Sequence, residues 1–329
     1  MSRTIFFRNK PIILETASIG GPKESKGCLK DYIERKLDDD LFDEKSFEKA
    51  ESKMMLAVIK KVIEKAKLDD VNIDSIIAGD LLNQIISSTF AVRNFNTGYL
   101  GVYNACATFT EALTIGATLI DGGYMKRVVC STGSHFSTAE RQYRYPLELG
   151  STRPPQAQWT VTGAGALILS NIGDGPKITC ATIGKIIDYG VTDANNMGAA
   201  MAPAAADTLL YHFTENGFSP NDYDLIITGD LGTLGSRIMK DLLWEKGIDI
   251  EKNHVDCGEL VYNLAEHEYQ GGSGAGCSSM VFCSYFYKLL KEKKLNKILL
   301  IATGALLSSV SSQQGESIPG IAHAVVIEN

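Results

Sequence analysis

The chain has 329 residues, 44% of them apolar, with a net charge of −7 and seven cysteines. That length can bury a large core, whereas the lack of any Lys/Arg block excludes nucleic acid as an expected partner and a direct hold on an anionic membrane surface. Scattered cysteines, odd in number and without CxxC spacing, argue against a disulfide framework or a zinc site.

The N-terminal MSRTIFFRNKPIIL lacks the apolar core of a signal peptide, and no apolar run reaches the roughly 18–20 residues that span a bilayer, so cytoplasmic synthesis is expected. Residues 23–55 are densely charged and read as a surface insertion, a solvated loop with a short helix at SFEKAESK (46–53); a docking element for a partner is the alternative. MMLAVIKKVIEKA (54–66) has helical apolar spacing and leads into the strand SIIAG (75–79). ACATFTEALTIGATLIDGG (105–123) is apolar nearly all round, which predicts a buried helix ending at a Gly pair, with the strand RVVCST (127–132) following. In the second half, IGKIID (183–188) reads as a strand, DTLLYHFTENG (207–217) as a helix with a Gly stop, and DLIITG (224–229) as a buried strand. GAGCSSMVFCSYFYKLLKEKK (274–294) is a helix, apolar early and basic late, and HAVVIE (323–328) a last strand.

These elements recur in order. DSIIAGDLL (74–82) is echoed by DLIITGDLGTLG (224–235), with the two Gly-Asp pairs 150 residues apart. Cys106 and Cys277, each opening an apolar helix, are 171 residues apart, and so are Thr132 and Thr303 in the strands that follow. TGAGALILS (162–170) and PGIAHAVVIE (319–328) close the two copies. A shared register over a helix and the next strand implies an internal duplication. Two α/β halves are expected, residues 1–172 and 173–329, with central helices packed between covered sheets.

Asn-Ala-Cys-Ala-Thr (104–108), opening a buried helix in a duplicated chain, resembles the nucleophile turn of the thiolase and ketoacyl-synthase superfamily. The resemblance implies a thiolase-like five-layer αβαβα fold, in which unpaired amides and partial positive charge at the helix start lower a thiol's pKa and hold an oxyanion. It also implies two polar partners for the Cys from the second half, usually His with His or Asn. The corresponding places here hold Gly229-Asp230 and Gly271-Gly272-Ser273, while His212, His254 and His267 lie off the pattern. The expectation is a vestigial nucleophile, Cys106, without condensation machinery and with no catalytic set. An acyl-thioester enzyme (acyltransferase, hydrolase or ketoacyl-synthase-like) that needs only Cys106 and an oxyanion hole is the alternative.

Segments from end to end resemble one branch of that superfamily, the stage V sporulation protein AD family of endospore-forming bacteria. They include GGPKESKG (20–27), SHFSTAERQYRYPLELGSTRPPQAQWTVTGAGA (134–166), GGSGAGCSS (271–279) and LLSSVSSQQGESIPGIAHAVVIEN (306–329). The resemblance implies binding of dipicolinic acid (pyridine-2,6-dicarboxylate) and support of its uptake, with calcium, into the developing spore. It further implies stage V sporulation A membrane proteins as partners, a peripheral place at the spore inner membrane through them, and a homodimer; no cofactor or resident metal is expected. A flat ring with two carboxylates needs cations or N–H donors and a wall over the ring. The expected ligand set is Cys106, His135, Arg141, Arg144, Arg153, Asp230, Gly272, Ser273 and His323, with Tyr143, Tyr145 and Trp159 as walls and helix starts at Cys106 and Cys277 as amide donors. Glu140 and Glu148 are alternative partners for the arginines. A structural subunit that binds no ligand is the third reading.

Overall fold

A computed structural model describes residues 2–144, 147, 153–264 and 270–329. The first half runs β1 (Thr4–Phe6), β2 (Ile12–Gly20), β3 (Arg35–Lys36), α1 (Phe47–Lys65), β4 (Ser75–Gly79), α2 (Ile86–Val92), β5 (Gly98–Gly101), α3 (Thr108–Asp121), β6 (Arg127–Ser134), α4 (Phe136–Tyr143), β7 (Trp159–Thr160) and β8 (Gly163–Ser170). The second runs β9 (Lys177–Thr182), α5 (Met197–Asn216), β10 (Leu225–Thr228), α6 (Gly232–Trp244), β11 (His254–Asp256), α7 (Cys257–Val261), β12 (Gly272–Ser273) and α8 (Ala275–Val281). A π-helical turn, Phe282–Phe286, then leads into α9 (Tyr287–Lys291), β13 (Lys297–Ala305), α10 (Ser309–Gln313) and β14 (Gly320–Glu328).

The sheet confirms the duplication. Its first half has the order β5-β4-β6-β8-β2 and its second β11-β10-β13-β14-β9. In each, the second strand is parallel to both of its neighbours and the last two pairings are antiparallel. The halves join where β1 runs antiparallel to β9, Thr4 opposite Thr182 and Phe6 opposite Cys180, and where Ile12 of β2 meets Lys177 of β9.

Five layers result. Helix α1 covers β2, β6 and β8 on one outer face, and α5 covers β13 and β14 on the other. Between the half-sheets, α3 meets β4 and β6 of one and β13 and β14 of the other, and it also touches α8. This is why α3 is apolar almost all round: Phe109, Ala112, Leu113 and Ala117 are fully buried, with the Phe109 ring 5.9 Å from that of Phe282. On α1 the buried positions Ala50, Met54, Val58, Ile59, Val62 and Ile63 repeat at helical spacing, and the Ser46 hydroxyl caps the start by accepting from the Lys49 amide.

Three expectations are corrected. Residues 23–55 are not a solvated insertion: Leu37 and Phe42 pack into the core under α1, and Leu29 and Ile33 into the central core. Most of the charges face outward around a few well-spaced apolar anchors, with Glu24 and Glu51 the buried exceptions, and the short helix at 46–53 is the first part of α1. The strand read at 183–188 lies at Lys177–Thr182, leaving Ile183 and Ile186 exposed in a loop held to the sheet by an Ile187–Gly320 bridge. The helix read from Asp207 begins ten residues earlier at Met197, because Pro203 is accommodated inside it; it stops as expected at Gly217, with φ +69°.

Candidate functional site

Cys106 sits on a tight turn just before α3. Ala105 adopts φ +50°, a left-handed conformation costly for a residue with a Cβ, and this aims the next side chain inward from the helix start. Close contacts from both halves hold the turn. A Cβ on Gly79 would lie 2.1 Å from the Val102 carbonyl oxygen, and one on Gly304 would lie 2.2 Å from that of Asn104, so any other residue at either position would displace it. His323 of β14 lies behind the same turn, with Nε2 3.3 Å from the Asn104 side-chain amide and Nδ1 accepting from the Gly184 amide at 3.2 Å.

The thiol is 5% exposed and faces a carboxylate. Cys106 Sγ is 3.8 Å from Ser273 Oγ, which donates to Asp230 Oδ2 at 2.8 Å. The Gly274 amide donates to the same oxygen at 3.1 Å, and the Thr303 hydroxyl donates to Oδ1 at 2.7 Å. Asp230 therefore accepts from three donors, two on Oδ2 and one on Oδ1. Burial raises its pKa above the usual carboxylate range. Burial first, and then the Asp230 charge, push the Cys106 thiol well above its ordinary value. The helix start would lower it, but here desolvation and a nearby anion win.

A cavity of about 30 Å³ adjoins the thiol, lined by Cys106, Arg144 and Ser273 together with Leu81, Tyr103, Tyr143, Met197 and Leu307. That is room for about one water, against the roughly 300–1,000 Å³ of a small-molecule pocket. Arg144 and Arg153 both donate to Glu140 Oε2, at 2.9 and 3.0 Å.

The expected set is thus only partly assembled. Cys106, Arg144, Asp230 and Ser273 converge. His135 is a correction: its ring accepts from the Ser137 amide through Nδ1, meets the Asp40 carbonyl through Nε2 and packs against Phe47, all away from the cavity. Gly272 does not line the cavity either, since it pairs with Trp159 and a Cβ there would strike Val161 and Val261. Arg141 is exposed and pairs with Glu48. Arg153 lies over Phe136 and Trp159, whose rings stack at 3.9 Å, so Trp159 covers this pair and not the cavity. His323 positions the nucleophile turn. The amides opening α8 are not open donors: Gly274 serves Asp230, and Gly276 donates to Ser134 Oγ at 3.0 Å. His212 bonds Thr182 and Tyr223, and His254 bonds Thr228, as structural groups. Tyr145, Glu148 and His267 lie outside the described residues. Tyr103, Met197 and Leu307 were missed, because nothing in their local sequence marks a residue that reaches the site only through the fold. Among the described residues no three His, Cys, Asp or Glu side chains converge as a metal site, and no helix is long and apolar enough to cross a membrane.

Comparison with known proteins agrees with this architecture. The chain is similar to solved structures of 3-oxoacyl-[acyl-carrier-protein] synthase III from Aquifex aeolicus VF5 (TM-score 0.58, 15% identity, 97% of this chain and 100% of that one). It is similar also to cerulenin-bound OleA from Xanthomonas campestri (TM-score 0.63, 15% identity, 98% and 100%). At that identity the likeness shows a thiolase-like fold and nothing finer. In sequence, the chain is 44% identical over 319 residues to stage V sporulation protein AD of Bacillus subtilis (strain 168), covering 97% of this chain and 94% of that protein. The family model for stage V sporulation protein AD matches residues 1–328. The chain therefore belongs to the stage V sporulation protein AD family, built on a thiolase-like fold.

Proposed function

We propose that this protein binds dipicolinic acid without transforming it. In this reading it supports uptake of the acid, with calcium, into the developing spore, as a homodimer working beside stage V sporulation A membrane proteins at the inner membrane. The observation that carries the non-catalytic reading is the Asp230–Ser273 pair beside Cys106. These residues stand in the places where the resemblance to condensing enzymes expects His or Asn, and a carboxylate there opposes both a thiolate and an oxyanion. Arg144 supplies a cation at the cavity, and Arg153 adds charge behind it. The open edge of β5, with Leu100 and Tyr103 exposed beside it, is a surface on which a second copy can extend the sheet.

Titration calorimetry with dipicolinate is the direct test. Saturable binding near one per chain, weakened by Arg144→Gln and only slightly altered by Cys106→Ala, is the expected result; no heat of binding overturns the ligand. A radiolabelled acyl-thioester that labels Cys106 and turns over would instead establish the acyl-thioester enzyme. Light scattering checks the dimer.

A further inference from the structure

We propose that Tyr143 is a gate that separates the Cys106 cavity from solvent-facing hollows and must swing aside for a ligand to enter. The proposal rests on the reading that the ligand reaches Cys106. Three adjoining hollows share this one side chain. The inner one is about 30 Å³. A second, of about 400 Å³, lies toward Asn83 and Val310, and a third, of about 430 Å³, lies toward Asn195 and Gln313. Tyr143 borders all three, whereas Tyr103 borders only the first two and Arg144 only the first and third. The inner space admits about one water, so an aromatic dicarboxylate enters only if this partition moves.

Tyr143 is held by two replaceable hydrogen bonds and by packing of its ring against the apolar groups around Leu81 and Ala139. It is the last residue of α4, where Arg144 leaves helical geometry at φ −124° and ψ −81°. Its hydroxyl donates to the Leu81 carbonyl and shares a hydrogen bond with the Tyr103 hydroxyl at 3.1 Å. When the ring leaves, neither partner is orphaned. Gln142 Nε2 also donates to the Leu81 carbonyl, at 2.9 Å, and Tyr103 is 41% exposed, so its hydroxyl reaches water. Opening therefore breaks two hydrogen bonds and withdraws the ring from its apolar neighbours, but it leaves no buried polar group unpaired. Arg144, anchored on Glu140, stays in place as the ring moves.

The test is the rate at which iodoacetamide alkylates Cys106, followed by peptide mass spectrometry, with exposed Cys28 as the internal standard. Tyr143→Phe keeps the ring but removes both hydrogen bonds. It should speed Cys106 alkylation by about tenfold, the factor carried by one to two net hydrogen bonds, with Cys28 unchanged. Tyr103→Phe, which removes only the shared bond, should give a smaller rise of roughly threefold. Equal Cys106 rates in the wild type and both variants overturn the gate. Dipicolinate should slow alkylation in Tyr143→Phe. If the variant is faster but dipicolinate gives no protection, the gate stands and the dipicolinate reading fails.

Discussion

Replacing Asp230 with Asn should lower the Cys106 pKa, because the carboxylate charge is, after burial, what holds this group in its thiol form. The Cys106–Ser273 contact of 3.8 Å and the Ser273–Asp230 bond of 2.8 Å share one oxygen. The sulfur and the carboxylate are therefore within about 6.6 Å, and two negative charges about 6 Å apart repel by about 3 kcal/mol at an effective dielectric constant near 20. Burial is untouched by the substitution, so the thiol should remain above its free value. Asn preserves the shape and one acceptor but sets an NH2 group against the donors at the other, costing roughly 1–3 kcal/mol of stability. Thiolate ultraviolet absorbance as a function of pH, compared between Asp230→Asn and Asp230→Asn with Cys106→Ala, isolates this one sulfur among the seven. A Cys106 titration that does not move to lower pH than in the same comparison made with Asp230 intact would refute the claim that the Asp230 charge silences Cys106.

Three further outcomes test the framework around the site. Burial raises Glu24 from 4.5 to about 7, so its contribution to stability is fully present below pH 4.5 and is lost as pH rises through about 7. By urea unfolding, Glu24→Gln should remove about 3 kcal/mol of that pH dependence, and an unchanged slope would contradict the assignment. Glu140→Gln strands the Arg144 and Arg153 side chains, only 4% and 17% exposed. It should cost about 3 kcal/mol in thermal unfolding and weaken dipicolinate binding, with stability partly recovered by adding Arg153→Met. Phe109→Ala in the central layer should cost about 3–5 kcal/mol; loss of one half's signal before the other's would argue against a shared core.

The repeat was readable because a strand, a helix start and a Thr-Gly strand end keep one spacing in both copies, and spacing survives when side chains diverge. Cys106, Asp230 and Ser273 were legible for the same reason: each lies beside a repeated landmark. His135 misled because it follows the same Thr-Gly strand end and sits close in sequence to the arginines, yet the chain turns its ring back toward Asp40. Proximity in sequence to a pocket-edge strand fixes where a backbone starts, not where an imidazole points. Residues 23–55 misled for a different reason. Composition weighs every charge equally, whereas burial here depends on Leu29, Ile33, Leu37 and Phe42, spaced so that the charges between them reach water. The partition at Tyr143 has no sequence signature, because it depends on Leu81, Tyr103 and α4 meeting in space.

Gly79 and Gly304 belong to different half-sheets, yet both abut the backbone that carries Cys106. The turn therefore acts as a rivet between the repeats, and it cannot loosen unless one half-sheet separates from it. Amide hydrogens of Ala105 to Thr108 should then exchange with solvent only through global unfolding, while those of α10 and the 183–188 loop exchange by local opening. The turn thus has a mechanical role: it fastens together the two halves whose common origin it helped to reveal.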